Sequence, residues 1–299
     1  MEKDSSLRGR GDKIFQVVCY IVLTILALSA VLPFLMLLAS SFTDNGALRV
    51  NGYGFWPSVF STYAYEYMFQ GKAAQIFRSY GITFFITIFG TVISLLIGPM
   101  FAYTMSRRDY KRARFWTVFV FFTMLFNGGV VPSYMMWTQI FNIKNTIWAL
   151  IFPNLIANGF FIILYKNNFS SNIHPALIEA AKIDGASEFF IYRKIVLPLS
   201  LPILATVGLM TGLGYWNDWT NGIYYITEEK WYSLQVYLNS ILSNIQAMQS
   251  MNGAAAGGQF PGVSIRMAMA VIGVVPIMIL YPFFQKYFVK GIAIGGVKE

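Results

Sequence analysis

Charged residues are scarce in this sequence. Asp, Glu, Lys and Arg make up only 12% of its 299 residues, whereas a typical soluble domain contains about 25%. Histidine and cysteine are rarer still, with one residue of each, His174 and Cys19. A single cysteine excludes a disulfide within these residues, and a single histidine argues against a histidine-based metal site or a Ser-His-Asp triad.

Apolar residues dominate instead, at 56% of the chain, and the mean hydropathy is +0.55. A helix needs roughly 20 apolar residues to cross the hydrocarbon core of a membrane. Six segments meet this requirement, and the run from Val271 to Ile279 is apolar at every position, which excludes the alternation of a membrane β-strand. The sequence therefore predicts an all-α polytopic membrane protein. Its six transmembrane helices are expected at about 14–42, 79–106, 115–138, 145–165, 195–217 and 267–286.

The third predicted span contains residues that interrupt helices. Asn127 is followed by Gly128 and Gly129, and Pro132 lies one turn further on. Because proline lacks a backbone N–H and glycine weakens a helix, we expect the helix to kink or end there. Asn127 is also a candidate for lining a substrate pathway at this break, with a purely structural kink as the alternative.

The basic residues are unevenly distributed between the two sides of the predicted membrane domain. Of the 22 Lys and Arg residues, 16 lie in segment 1–13, between the second and third spans, between the fourth and fifth spans, and at or after the end of the sixth span. The positive-inside rule therefore predicts that both termini, 1–13 and 291–299, are cytoplasmic and flank a six-helix transmembrane domain over 14–290. Attraction to anionic lipid explains the net charge of +9, and nucleic-acid binding is not needed to explain it.

The loop 170–194 differs from the other loops because its sequence predicts a helical hairpin. Pro175 suits a first helical turn, and Gly185 can adopt the left-handed conformation that ends a helix. A second short helix is expected from Ser187 towards Lys194. Small side chains in the first helix allow close approach of a partner, and Glu179 could anchor the hairpin by pairing with a base or with backbone amides.

The hairpin also carries a spaced motif. Glu179-Ala180-Ala181 is followed by Gly185, Ile195 and Leu197-Pro198 at the spacing of the EAA loop of ABC importer permeases, which it resembles at every position. The residues from Ile183 to Ser187 resemble the carbohydrate-uptake branch, and those from Gln285 to Lys298 are similar to the tail of MalG-like permeases. The whole chain most resembles the LplC/YtcP-type permeases. The alternative is a glycine-ended hairpin that merely caps two spans.

The resemblance implies a permease domain of the type I importer (MetI-like) fold, in a multi-pass protein of the bacterial cell membrane. It implies a non-catalytic subunit that takes up oligosaccharides by ATP-driven alternating access and binds no cofactor itself, since ATP and Mg belong to a separate ATPase. The implied partners are a second, homologous permease subunit in a heterodimer, two copies of a cytoplasmic ABC ATPase and an extracellular solute-binding lipoprotein. The residues implied in ATPase coupling are Glu179, Ala180, Ala181, Asp184, Gly185, Ile195, Leu197 and Pro198, with a tail contact at Gly295, Gly296 and Val297.

The fifth span offers the densest set of polar and aromatic residues. Gly208 and Gly212 form a GxxxG face that favours close helix packing. Aromatic rings near the end of the span could stack against sugar C–H groups, although an interfacial aromatic belt with a helix-end cap is the alternative. The candidates for the substrate pathway are Tyr215, Trp216, Asn217, Asp218 and Trp219.

Two other functional classes fit the sequence less well. An ion-coupled secondary transporter is the main alternative, but the six predicted spans contain no Asp, Glu, Lys or Arg in mid-membrane that could bind a proton or ion. An intramembrane enzyme would need a paired base, and the single histidine lies in the predicted cytoplasmic loop.

Overall fold

A computed structural model describes residues 10–70, 73–153, 156–251 and 262–295. These residues are almost entirely helical, and the described chain has one isolated β-bridge, between Thr43 and Phe60, and no longer strand. The all-α fold class is confirmed. The α-helices are α1 (Arg10–Ser41), α2 (Asn45–Asn51), α3 (Tyr63–Phe69), α4 (Ala73–Ser106), α5 (Ala113–Leu125), α6 (Val130–Met135), α7 (Gly159–Asn172), α8 (Pro175–Ile183), α9 (Glu188–Ile191), α10 (Leu197–Leu199), α11 (Leu201–Trp216), α12 (Thr220–Tyr225), α13 (Leu234–Met251) and α14 (Gly262–Gly295).

Within the described ranges, three helices are long and apolar enough to cross a membrane by themselves. They cover Gly11–Ser41, Ala73–Ser106 and Gly262–Pro282. Two further helix pairs qualify only when each is counted as one broken span, which raises the number to five. The exact count of six therefore stays a prediction, and the difference arises from interruptions in the third, fourth and fifth predicted spans.

The interruption of the third span lies where the sequence predicts it. Helix α5 ends at Leu125, and the next helix begins at Val130 at an angle of 111°. Between them, the side-chain Oδ1 of Asn127 accepts a hydrogen bond of 2.8 Å from the N–H of Gly129, whose φ is +87°. The kink expected at Asn127 to Pro132 is thus confirmed.

The fourth predicted span, 145–165, is not one continuous helix in the structure. A short 3₁₀ helix covers Ile147–Leu150, and α7 begins at Gly159 and continues to Asn172. The side chain of Asn158 accepts hydrogen bonds from the N–H groups of Phe160 and Phe161, which makes it the N-cap of α7. A run of uncharged residues does not reveal such a cap, because asparagine carries no charge and so does not interrupt the run.

The fifth predicted span, 195–217, is also bent. A π-helix covers Tyr192–Val196, and the direction of the chain changes by 81° between the segments Glu188–Leu199 and Leu201–Trp216. Pro198 and Pro202 flank this bend, and neither can donate the backbone hydrogen bond of a continuous helix.

The chain divides into two compact units. The first comprises residues 1–71 and 245–275, where the carboxamide of Asn45 accepts a hydrogen bond of 3.1 Å from the N–H of Val263. Phe42 stacks on Phe60 and Tyr65 in the same unit. The second unit comprises residues 72–244 and 276–299 and contains the predicted coupling hairpin.

The core of the second unit is built by α4, α7 and α11. Glycines allow α11 to approach α4 closely, because a Cβ on Gly208 would meet Leu95 and one on Gly212 would meet Thr91. The GxxxG face predicted from the sequence therefore packs against a helix. One end of the core is filled by buried apolar residues that include Tyr165, Ile191 and Val196.

Candidate functional site: a helical hairpin held on the end of a long helix

The first arm of the predicted hairpin is a helix with a defined cap at each end. His174 is the N-cap of α8, since its Nδ1 accepts a hydrogen bond of 3.3 Å from the N–H of Ala176, and Pro175 occupies the first helical position. At the other end Gly185 has a φ of +78°, and the N–H of Ala186 donates to the carbonyl of Ala181 at 2.9 Å. This is the glycine stop expected from the sequence.

The second arm is anchored in the protein core. Ser187 caps α9 by accepting a hydrogen bond of 3.3 Å from the N–H of Phe190. The chain continues through the π-helix Tyr192–Val196, in which Tyr192 and Val196 are buried. The second short helix predicted after Ser187 is thus present and leads directly towards α11.

The motif residues fall into two groups in the structure. Ala181, Ile195 and Leu197 are partly buried against the core of the second unit. The remaining members are exposed, as are four large apolar side chains around them. Leu177 and Ile183 lie in α8, outside the candidate membrane spans, and exposed apolar side chains in such a position are typical of a protein–protein contact surface. We call this the tip surface; it consists of Leu177, Glu179, Ala180, Ile183, Asp184, Gly185, Phe189 and Phe190.

The hairpin is joined to the end of α4 by a closed ring of four charged side chains. Nη2 of Arg107 lies 2.8 Å from Oδ2 of Asp109, and Nζ of Lys182 lies 2.6 Å from the same oxygen. Lys182 also lies 2.8 Å from Oε1 of Glu188, which is 3.5 Å from Nη2 of Arg107. Each cation therefore contacts both anions, and we call these four residues the charge ring.

A neutral residue extends the charge ring into the core. The hydroxyl of Tyr103, a buried side chain in the last turn of α4, donates a hydrogen bond of 2.6 Å to Oε2 of Glu188. Arg107 is the least exposed charged member, with 11% of its side chain accessible. Both arms of the hairpin, through Lys182 and Glu188, are thus tied to one helix end.

The anchor of the hairpin differs from the sequence-based expectation. The sequence predicts that Glu179 pairs with a base or with backbone amides, but Glu179 is exposed and forms no salt bridge with any residue that the structure describes. Lys182 and Glu188 hold the hairpin instead. Residues 109 and 182 are far apart in the sequence, so their contact cannot be read from either local segment. The only sign of it in the sequence is that both loops are rich in charged residues.

The charge ring shifts the pKa values of its members in the direction of the charged forms. Hydrogen bonds from Arg107 and Lys182 hold the pKa of the Asp109 carboxyl well below its usual range. Asp109 and Glu188 raise the pKa of the Lys182 ammonium above its ordinary value. All of these ion pairs are therefore formed at neutral pH.

A cavity of about 300 Å³ separates part of α8 from the end of α4. Its wall includes Ser106 and Arg108 on one side and Ile178, Glu179 and Lys182 on the other. Side-chain ion pairs, and not continuous apolar packing, therefore span this part of the contact between the hairpin and α4. No group of three or more His, Cys, Asp or Glu side chains that could hold a metal ion occurs among the described residues.

The residues proposed for a substrate pathway are distributed differently. Tyr215 is fully buried and its hydroxyl donates a hydrogen bond of 2.9 Å to the carbonyl of Ile151. Trp216 is buried with its ring edge against Phe84. Asp218 accepts hydrogen bonds from the N–H and the side-chain amide of Asn221. These contacts pack Tyr215 and Trp216 inside the protein and join Asp218 to Asn221, and the pathway role of these three residues stays a prediction.

The other candidates are exposed. Trp219 is 51% exposed, and Asn217 is exposed with its side-chain amide donating to the carbonyl of Leu213 at 3.0 Å. Asn127 is exposed and serves the turn described above. Gly295 is the last residue of α14, and the tail residues Gly296 and Val297 lie outside the described residues.

Comparisons with known proteins agree with this geometry. The family described as "Binding-protein-dependent transport system inner membrane component" matches residues 77–294. The chain is 36% identical to the polygalacturonan/rhamnogalacturonan transport system permease protein YtcP of Bacillus subtilis, over 96% of this chain and 99% of that protein. It is also 36% identical to protein LplC of Bacillus subtilis, over 97% of this chain and 96% of that protein.

A solved structure is similar as well. It is a chain from the crystal structure of a bacterial ABC transporter involved in the import of the acidic polysaccharide alginate. The two folds superpose with a TM-score of 0.76 at 30% sequence identity, and the match covers 95% of this chain and 100% of that chain. The similarity extends over nearly the whole chain, so it includes the hairpin and the helices that hold it.

Proposed function

This chain belongs to the family of binding-protein-dependent transport system inner membrane components, and on that premise we propose that it carries oligosaccharides across the membrane by ATP-driven alternating access. The observation that carries the proposal is the hairpin, whose base is fixed to the helical core and whose tip surface is exposed. A hairpin held in this way can be displaced by a partner and can transmit that displacement to the membrane spans.

The partner proposed for the tip surface is a cytoplasmic ATPase subunit. Glu179 and Ala180 lie on the exposed side of α8, and Ile183 and Phe189 add apolar area that is 87% and 61% exposed. Small residues allow a close contact, the apolar side chains provide buried area, and the free carboxylate can pair with a basic group of the partner. The distribution of Lys and Arg supports a cytoplasmic position for this surface and for both termini.

The chain acts as one part of a larger assembly in this proposal. ATP and Mg are bound by two copies of the ATPase, and this chain contributes movement and no catalytic group. A second, homologous permease subunit completes the pathway as a heterodimer, and an extracellular solute-binding lipoprotein delivers the sugar. Gly295, Gly296 and Val297 are proposed as a further contact with the ATPase.

The substrate class proposed is an acidic oligosaccharide. The named substrates of two similar proteins, polygalacturonan/rhamnogalacturonan and alginate, both contain uronic acids. Within the predicted pathway set, Trp219 and Asn217 are the exposed members and could offer a flat ring and an amide to a passing sugar. Tyr215 and Trp216 are both buried, so they would hold the exposed residues of the pathway in place without contacting the sugar themselves.

Reconstitution in proteoliposomes tests the proposal. The chain is assembled with a partner permease, ATPase and binding protein, and uptake of radiolabelled oligogalacturonate is compared with that of a neutral malto-oligosaccharide. Uptake of the acidic sugar that needs both ATP and the binding protein is expected. Uptake driven by an ion gradient without ATP would replace this proposal with the ion-coupled secondary transporter.

Two substitutions on the tip surface test the coupling role. Glu179→Lys and Gly185→Asp should leave membrane insertion intact and abolish most uptake, while ATP hydrolysis continues without transport. Glu228→Lys makes the same charge change in a segment predicted on the opposite side of the membrane, and it should transport normally. Normal uptake in both tip variants would count against ATPase docking at this surface.

A further inference from the structure

The charge ring lies between the proposed coupling hairpin and α4, and no step of the proposed mechanism has used it. Its four members come from three separate segments: Arg107 and Asp109 follow α4, Lys182 lies in α8, and Glu188 begins α9. The positive and negative side chains alternate around the charge ring, and neighbouring nitrogen and oxygen atoms are 2.6 to 3.5 Å apart. Removal of any one member opens the charge ring.

From this geometry we infer that Lys182 and Asp109 are positioning residues that make the hairpin and the end of α4 move as one body. The inference rests on the proposed function, because it states which helix receives the movement of the hairpin. The covalent route leads from α9 into α11 across the 81° bend. The charge ring supplies a second route, from both arms of the hairpin into α4.

The second route is needed because apolar packing alone does not fix the distance between α8 and α4. Ile178 and Ala181 pack against the core, but a cavity of about 300 Å³, lined on the α8 side by Ile178, Glu179 and Lys182, lies beside the end of α4. A helix that rests on one face over a cavity can rock about that face. Lys182 contacts both Asp109, which follows α4, and Glu188, which begins α9, and these two ion pairs oppose such rocking.

The tie to α4 continues beyond the exposed ion pairs. Tyr103 lies within α4, is buried, and donates its hydroxyl hydrogen to Glu188. Arg107 lies over the ring of Tyr103 at 5.7 Å from its centroid, in a cation–π contact. Displacement of the hairpin would therefore strain a buried side chain of α4 as well as the surface ion pairs.

Spin-label distance measurements test the inference on the full chain in lipid nanodiscs. Cysteines replace the exposed residues Lys111, beside the charge ring, and Ala176, in α8, in a Cys19→Ser background. The distance distribution between the labels should be narrow in this background and should broaden when Lys182→Met is added. Lys194→Met removes an exposed cation that forms no salt bridge among the described residues, and it should leave the distribution narrow. An unchanged distribution in Lys182→Met would overturn the inference.

The same labels in the assembled transporter test the movement itself. Addition of ATP should leave the distance between the labels unchanged when Lys182 is present, and should shift it in Lys182→Met, because the hairpin then moves without α4. A shift with Lys182 present would show that the two segments move separately and would overturn the inference.

Coupling provides the functional readout. The number of ATP molecules hydrolysed per sugar transported should rise about two- to fivefold in Lys182→Met and Asp109→Asn, the factor expected from the energy of partly exposed ion pairs. Lys182→Arg keeps the charge and should restore the ratio. If Lys182→Met fails to insert, Asp109→Asn carries the test. An unchanged ratio in variants that transport overturns the inference alone, whereas absence of ATP-dependent uptake in the unsubstituted transporter overturns the proposed function.

Salt concentration separates positioning from general destabilisation. Raising the salt concentration screens exposed ion pairs, so the ATP-to-sugar ratio of the unsubstituted transporter should rise towards that of Lys182→Met. The ratio in Lys182→Met should change much less over the same range. An equal rise of the ratio in the unsubstituted transporter and in Lys182→Met would show that salt acts outside the charge ring, and it would contradict the role assigned to Lys182.

Discussion

A Cβ atom on Gly90 would lie 2.3 Å from Cζ of Tyr215. Gly90 is in the middle of α4, and Tyr215 is in the last turn of α11, so the missing side chain is what allows these helices to pack at this level. The Tyr215 ring cannot move aside easily, since it is fully buried and its hydroxyl is bonded to the carbonyl of Ile151.

Gly90→Ala should therefore destabilise the protein by about 1 to 3 kcal/mol, the usual cost of overpacking a filled core. Gly81→Ala is the matched control, because Gly81 lies in the same helix and a Cβ there would meet nothing within 4 Å. The control should gain about 0.5 to 1 kcal/mol from its better helix propensity. Thermal unfolding in detergent measures both, and equal midpoints for the two variants would contradict the packing argument.

Tyr215→Phe tests the hydrogen bond apart from the ring. The ring is kept, but the carbonyl of Ile151 loses the hydroxyl that donates to it at 2.9 Å. We expect a loss of about 1 kcal/mol, the typical net worth of such a bond. Tyr224→Phe, at a ring that is 42% exposed, should have little effect on the unfolding midpoint. If Tyr215→Phe is as stable as the unsubstituted chain but transports poorly, the hydroxyl serves the pathway and not the packing.

Local signals in the sequence predicted much of this arrangement. The glycine spacing at Gly208 and Gly212 correctly indicates a packed helix face, and the Asn127–Gly129 cluster correctly indicates a break. Pro175 and Gly185 correctly mark the two ends of α8. In each case the physical cause lies within a few neighbouring residues, either in proline or glycine backbone chemistry or in helical periodicity.

The features that sequence reasoning missed depend on contacts between distant segments. Lys182 and Asp109 are 73 residues apart, and nothing in either loop alone indicates that they meet. Tyr215 and Asp218 have the composition of a sugar site, and only the fold shows that Tyr215 is buried and that Asp218 is hydrogen-bonded to Asn221. The interruption before Gly159 depends on capping by Asn158, which has no effect on hydropathy.

Gly185 should tolerate asparagine better than alanine. Its φ of +78° is strained for a residue with a Cβ, at a cost of about 1 to 2 kcal/mol, although a Cβ there would meet nothing within 4 Å. Asparagine adopts this conformation more readily. Hydrogen exchange at the amide of Ala186, which bonds to the carbonyl of Ala181, should therefore quicken more in Gly185→Ala than in Gly185→Asn. Equal acceleration in both variants would show that the added side chain, and not the backbone conformation, causes the effect.

The charge ring should respond to pH only at the extremes. The pKa of Asp109 is lowered in the folded protein, so its stabilising effect is complete above the ordinary pKa of about 3.9 and is lost as the pH falls towards the lowered value. The pKa of Lys182 is raised, so its effect is complete below its ordinary value and is lost only as the pH rises through the raised one. The difference in thermal midpoint between the unsubstituted chain and Asp109→Asn should thus stay constant from about pH 5 to pH 9 and shrink below about pH 4. Glu228→Gln removes a carboxylate from an isolated surface pair with Lys230 and should show a smaller difference throughout. A difference for Asp109→Asn that already disappears near pH 6 would mean that its carboxyl is not held by Arg107 and Lys182 in the folded protein.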